Sequence, residues 1–306
     1  MKDRRVTMDH PILEIQGLTK YYGKHKGVEN LSLQLYPGEV FGFIGPNGAG
    51  KSTTIRCIMN LINKTSGTIL YNHKPLHKND TVIKSSIGYL PSEIHLYDDL
   101  SVKEMLDYHE SFYSHDLKQR RSDLVKRFQL DEAKQIEDLS LGNLKKLGII
   151  LAFMHQPKLL ILDEPTSGLD PIMQNVFYEL LAEEKARGNT ILYSTHILSE
   201  VSKICDRIGI IKDGNLIQTE TVTDLLNNNL TYVTVSSPQI DEIIIELQLI
   251  DFTKSNQTVR FKNEMSHDKL IKKLSQYQIE RLLIEEANPE DMFFRYYEQE
   301  NEHVKA

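Results

Sequence analysis

Cysteine is nearly absent: Cys57 and Cys205 are the only two among 306 residues. Two thiols cannot build a disulfide framework or a structural zinc cluster, so the expectation is two buried thiols in a reducing compartment. Positive charge is short as well. The 36 Lys and Arg stand against 43 Asp and Glu, a formal net charge of −7. That excludes a globally basic coat for nucleic acid, though not a local patch. Long hydrophobic runs are missing too. A membrane-spanning helix needs about 20 mostly apolar residues, and the richest stretch, Leu147 to Met154, runs straight into His155, Gln156 and Pro157. The opening Met1-Lys2-Asp3-Arg4-Arg5 leads into no apolar segment, so no secretion signal is expected. If the protein works at a membrane, another chain must supply the membrane part.

What is present fits a folded protein. The hydrophobic fraction is 40% and the charged fraction 26%, ordinary for a globular chain and wrong for a disordered one. The length suggests about two domains. Ile12 to Ile15 and Leu31 to Leu35 alternate apolar and polar residues, as half-buried strands do. They flank a turn-like Tyr21-Tyr22-Gly23-Lys24. Val40 to Ile44 and Leu159 to Leu162 are continuous apolar runs suited to strands buried on both faces. Ile87 to Leu90, Thr190 to Ser194 and Ile208 to Ile211 add further strands. A helix is expected from Ser52 to about Ile62, and a charged helical subdomain from about Ser101 to Phe153. Strands alternating with helices imply an α/β layer with a parallel sheet.

The composition turns polar at Asn227-Asn228-Asn229, which reads as a linker. Beyond it, strands at Tyr232 to Val235, Val259 to Lys262 and Arg281 to Glu285 alternate with helices at about Ile240 to Leu247 and Asp268 to Gln276. A terminal helix is expected from Pro289. The expected domains are therefore 1–222, with a helical subdomain at about 88–156, and an α+β module at 223–306.

Gly45-Pro46-Asn47-Gly48-Ala49-Gly50-Lys51-Ser52 fits the phosphate-loop pattern G-x4-G-K-[ST]. Its glycines let successive backbone N–H groups turn inward on phosphate oxygens. The N-terminus of the following helix adds partial positive charge. Lys51 is placed to reach the β- and γ-phosphates, and the Ser52 hydroxyl to bind Mg²⁺. A second requirement is a carboxylate at the end of a neighbouring buried strand. Leu159 to Leu162 ends in Asp163-Glu164. Two adjacent acids after four large apolar residues are costly to bury without a cation. Asp163 suits the metal, and Glu164 the polarisation of an attacking water.

From Ile12 to about Ile217 the sequence resembles the ATP-binding cassette (ABC) ATPases. The resemblance rests on the phosphate loop, on Leu139-Ser140-Leu141-Gly142-Asn143, on Leu159 to Glu164, on Ser167-Gly168-Leu169-Asp170 and on Ser194-Thr195-His196, in that order. A GTPase would carry Asn-Lys-x-Asp, whereas Asn63-Lys64 continues Thr65-Ser66. The resemblance implies a phosphate-loop NTPase fold with a mainly parallel core sheet, an antiparallel strand layer and a helical subdomain, with ATP and Mg²⁺ as ligands. It implies that Tyr22 stacks on adenine and that Gly45 to Ser52, with Thr53, hold the phosphates. It implies that Ser140 and Gly142 face the γ-phosphate bound by an opposite subunit, that Asp170 contacts that subunit, and that His196 touches the γ-phosphate.

The sequence departs from the family pattern at Leu141 and Asn143, where a glycine and the glutamine of Leu-Ser-Gly-Gly-Gln usually stand. Ser92-Glu93 also follows Pro91 where the family places a glutamine that assists the metal and the water; Ser92 is the candidate for that role. The segment Gly88 to Leu106 and the tail containing Asn288-Pro289-Glu290-Asp291-Met292-Phe293 resemble the bacterial branch that exports drugs, antibiotics or peptides. With one phosphate loop and one signature, two cassettes are needed, identical or homologous. The other partners expected are separate permease subunits at the cytoplasmic face of the membrane, with no nucleic acid. Two other readings stay open: a soluble cassette ATPase acting on ribosomes or DNA, and a weakly hydrolysing regulatory subunit.

Overall fold

In the computed structural model, the described residues are 10–77, 79–227, 231–263 and 265–286. The chain divides into two compact units, residues 1–222 and 223–306. The terminal helix expected from Pro289 lies outside the described residues, as do Asn228 and Asn229 of the expected linker; Asn227 closes a short helix instead.

The first unit begins with β1 (Leu13–Tyr22) and β2 (His25–Leu35), joined by a two-residue turn. Next come β3 (Val40–Ile44), α1 (Lys51–Ile58), β4 (Ser66–Tyr71), β5 (Lys74–Pro75), α2 (Thr81–Lys84) and β6 (Ile87–Leu90). The helices α3 (Val102–Glu110), α4 (Lys118–Phe128) and α5 (Leu141–Phe153) form the helical region. Then follow β7 (Leu159–Asp163), α6 (Pro171–Ala186), β8 (Thr190–Thr195), α7 (Leu198–Ile204), β9 (Arg207–Lys212) and β10 (Asn215–Thr221); α8 (Val222–Asn227) starts at the last residue of this unit and lies mostly in the next.

The core sheet runs β10-β9-β3-β8-β7-β6, parallel except for the β10–β9 hairpin. A second, antiparallel sheet runs β2-β1-β4-β5. The two sheets and the helical region are the architecture that the cassette resemblance implied. Both apolar runs behave as expected: every residue of β3 and β7 is buried. The four side chains Leu159 to Leu162 are 0% exposed. At ~1.5–3 kcal/mol each, their burial offsets the cost of holding Asp163 in the interior at the same strand's end.

Helix starts are set by local chemistry. Ser101 and Glu104 form a capping box on α3, Ser140 caps α5 by accepting from the Asn143 N–H at 3.3 Å, and Asp170 caps α6 ahead of Pro171. Helix α1 is shorter than the expected Ser52 to Ile62, because the chain leaves it at Met59 and Asn60 adopts a left-handed φ of 55°. Tyr22 is the last residue of β1 rather than part of the turn.

The second unit contains β11 (Thr231–Ser236), α9 (Ile240–Glu246), β12 (Phe252–Ser255), β13 (Thr258–Asn263), α10 (His267–Leu274) and β14 (Arg281–Glu286). Its antiparallel sheet has the order β12-β13-β11-β14, the β-α-β-β-α-β arrangement of ferredoxin-like modules. Alternation along β11 puts Val233 and Val235 inside with Val259, Phe261, Ile243 and Leu270.

Candidate nucleotide site

Strand β3 delivers the chain into the loop from Gly45 to Gly50, and α1 leads it away. The close approaches explain the glycines. A Cβ on Gly45 would lie 2.4 Å from the Ile211 carbonyl oxygen, and one on Gly50 would lie 2.8 Å from the Gly27 carbonyl oxygen. Gly50 also has φ 110°, which side chains rarely adopt. Pro46, Asn47, Gly48, Gly50, Lys51, Ser52, Thr53, Ser92 and Glu164 line one cleft of about 260 Å³. Gly45 is packed against Ile211, and Ala49 is buried at 3% exposure; both shape the loop from behind.

Lys51 is only 5% exposed. Its Nζ donates to the Gly45 carbonyl at 2.6 Å and the Pro46 carbonyl at 3.2 Å, and stands 3.3 Å from Glu164 Oε1. The lysine is thus held over its own loop with a carboxylate facing it. Glu164 is the junction of the site. Its Oε2 is 2.9 Å from His196 Nδ1, while its buried Oε1 has no hydrogen-bond donor despite the nearby ammonium. Its backbone is left-handed at φ 48°, with its N–H donating to the Ser194 carbonyl at 3.1 Å. Asp163 is 1% exposed and accepts from the Ser194 hydroxyl at 2.9 Å. On the neighbouring strand, burial and then the Asp163 charge push the Tyr89 phenol up to about 12.

The structure therefore brings together the phosphate loop, Ser92, Asp163, Glu164 and His196. Tyr22 stands nearby: its ring and the Thr53 methyl group flank the same point above Gly27, with Lys20 Nζ 4.8 Å from the ring centroid. Ser140, Gly142 and Asp170 are not among the residues lining this cleft. Gly142 sits instead against the Gly168 carbonyl, 3.0 Å from where a Cβ would be.

Three contributors escaped the sequence reading. Ser194 belongs to the Ser194-Thr195-His196 motif, whose sequence alone gives its hydroxyl no partner. Glu200, 4% exposed, accepts from Thr166 Oγ1 at 2.7 Å, Tyr178 OH at 3.1 Å, Tyr193 OH at 2.8 Å and Thr195 Oγ1 at 2.9 Å. It ties the turn after Glu164 to the residue before His196. Lys145, 3% exposed, donates to the carbonyls of Ser92 at 3.1 Å and Glu164 at 3.2 Å. Burial lowers its pKa, while the charges of Asp163 and Glu164 pull it upward. A lysine on the apolar face of α5 was the available signal.

This arrangement matches known proteins. The profile of the family described as ABC transporter matches residues 28–167. The ABC transporter ATP-binding protein YcbN of Bacillus subtilis, itself uncharacterized, is 33% identical over 93% of this chain and 96% of its own length. The chain belongs to the ABC transporter ATP-binding proteins. The bacitracin transport ATP-binding protein BcrA of Bacillus licheniformis is 36% identical to this cassette over 72% of the chain and 74% of its own. A solved ATP-binding subunit of an ABC transporter shares the fold with a TM-score of 0.66 at 32% identity, covering 70% of this chain and 91% of that one. The cassette is an ATP-binding and ATP-hydrolysing subunit.

Proposed function

We propose that this cassette hydrolyses ATP at the cleft between the phosphate loop and Glu164, and that the cycle powers export of an antibiotic- or peptide-like compound through separate permease subunits. The observation carrying the reading is Glu164 itself, a carboxylate with one oxygen on His196 at 2.9 Å and the other facing Lys51 at 3.3 Å across the cleft. That is where a base must stand if Lys51 grips the terminal phosphate. Glu164 takes a proton from the water whose oxygen attacks the γ-phosphorus, as the bond to the ADP oxygen breaks. His196 holds the carboxylate in place and reaches the γ-phosphate. Tyr22 stacks on adenine.

The donors also suit Mg²⁺. No group of three or more His, Cys, Asp or Glu among the described residues forms a metal cage, and Mg²⁺ bound with a nucleotide needs only one or two carboxylates beside the phosphates. The buried, donorless Oε1 of Glu164 and the Asp163 carboxylate, with a single side-chain donor, leave room for cation-bound water. Ser52 and Asp163 would hold the ion, with Ser92 at its edge; the ion would neutralise phosphate charge during transfer.

Ser140, Gly142 and Asp170 lie outside the cleft, which suits completion of the site by a second cassette. Two copies, or this chain and a homologue, would meet head to tail around two ATP molecules. Binding at the interface stabilises the closed pair by mass action, and hydrolysis reopens it. No helix among the described residues is long and apolar enough to cross a membrane; in this reading separate permease subunits carry the transport path and the cassette docks on them at the cytoplasmic face. The bacitracin transport relative supports the cargo class. Hydrolysis by Glu164→Gln tests the site: turnover should vanish with ATP binding retained, and wild-type turnover would overturn the assignment.

A further inference from the structure

One buried ammonium in this cassette has no part in the chemistry above. Lys145 lies in α5, five residues after the Ser140 cap, on the face that also carries Gly148, Ile149 and Ala152. That face is pressed tightly against the end of β6 and the segment after it: a Cβ on Gly148 would lie 2.4 Å from Ile94 Cδ1 and 2.9 Å from Leu90 Cδ1. The close approach shuts the lysine inside at 3% exposure. A buried ammonium needs acceptors, and those it has are two main-chain carbonyls, Ser92 at 3.1 Å and Glu164 at 3.2 Å. Both residues line the phosphate cleft, although one follows β6 and the other β7.

The Glu164 carbonyl is a telling acceptor. Glu164 has φ 48°, a conformation costing a non-glycine residue ~1–2 kcal/mol and kept only where the surroundings impose it. Its N–H is held by the Ser194 carbonyl, and its C=O accepts both the Ser167 N–H at 3.3 Å and the Lys145 ammonium at 3.2 Å. Pinned on both sides, the residue must aim its carboxylate at His196 and the cleft.

We propose that Lys145 is a positioning residue for ATP hydrolysis. Its ammonium clamps the Ser92 and Glu164 carbonyls to α5, fixing the base and the loop wall opposite the phosphate loop in one unit with the helix that Ser140 begins. The role rests on Glu164 being the base. Lys145 is not among the residues lining the phosphate cleft, so its loss should lower turnover and spare binding.

The test is steady-state hydrolysis and MgATP binding by the full chain carrying Lys145→Met, which keeps the length of the side chain and removes the donors, beside Lys145→Arg and Glu164→Gln. Loss of the charge-assisted hydrogen bonds that place the base is worth roughly 10- to 100-fold in turnover, so K145M should lose about that much kcat while MgATP affinity stays within about threefold. K145R, with donors restored, should recover at least about tenfold over K145M. Wild-type kcat in K145M beside an inactive E164Q would overturn the role of Lys145 alone. Equal losses of affinity and kcat in K145M, or K145R no faster than K145M, would reduce the lysine to packing. Wild-type turnover in E164Q would refute the base assignment, a separate failure.

Discussion

Ser194→Ala removes one oxygen and leaves the Asp163 carboxylate without its side-chain donor. Both residues are essentially sealed: Ser194 is 0% and Asp163 1% exposed, at a donor–acceptor distance of 2.9 Å. Water cannot readily replace the hydroxyl, so the loss is that of a hydrogen bond to a charged group, about 1.5–3 kcal/mol. For a unit of this size each kcal/mol moves the melting point by about 2–4 °C, so the variant should melt roughly 3–12 °C lower. The functional consequence follows from the same bond. Asp163 is the carboxylate proposed to hold Mg²⁺, and loss of such a supporting contact weakens metal binding by roughly 10- to 100-fold. The assay is a thermal melt with a magnesium titration of ATP hydrolysis, using Ser194→Thr as the hydroxyl-retaining control. A melting point within about 1 °C of wild type together with an unmoved magnesium midpoint would show that Asp163 neither needs this donor nor holds the metal.

The other expectations concern single groups. Lys51→Ala removes the proposed charge-assisted phosphate contact, about 1.5–3 kcal/mol, so ATP affinity should fall by roughly 10- to 150-fold by calorimetry; unchanged affinity would contradict the phosphate-loop reading. Glu200→Ala strips four hydroxyls of their common acceptor and should lower both the melting point and kcat, because Thr166 and Thr195 flank Glu164 and His196; a normal kcat in a folded variant would disconnect that network from catalysis. Burial holds His109 and His155 at about 4, below the ~6.5 of an unfolded histidine. As pH falls, the unfolded chain therefore takes up protons first, and stability drops between about 6.5 and 4, by on the order of 3 kcal/mol per imidazole. His155→Phe, which preserves a ring against Tyr113, should flatten that limb in urea midpoints measured against pH; an identical slope would place the acid sensitivity elsewhere.

Much of this site is visible in the residue order because its chemistry is local. The phosphate loop is eight consecutive residues between a buried strand and a helix, and Asp163-Glu164 closes an apolar run, so spacing alone places them. The core strands β3 and β7 are visible for the same reason: a strand covered on both faces leaves an uninterrupted apolar signature. The contributors that escaped are those whose roles exist only across the fold. Lys145 reaches carbonyls at Ser92 and Glu164, 53 and 19 residues away in sequence. The four donors of Glu200 come from Thr166, Tyr178, Tyr193 and Thr195. Strands β4, β10 and β12 are not legible in the sequence because each is mixed in polarity, with β4 and β10 partly exposed and β12 exposed throughout, and their pairing with β1, β9 and β13 defines them better than their own composition. The left-handed turn at Glu164 left no trace at all, since glutamate has no preference for it.

The account stands on ATP joining two cassettes and hydrolysis releasing them. The most direct measurement is the solution mass of Glu164→Gln by light scattering, with and without MgATP. The account predicts a monomer alone and a stable dimer holding two ATP molecules when nucleotide is added, with the same shift blocked by Lys51→Ala. An E164Q protein that binds MgATP fully yet keeps one mass throughout would contradict it.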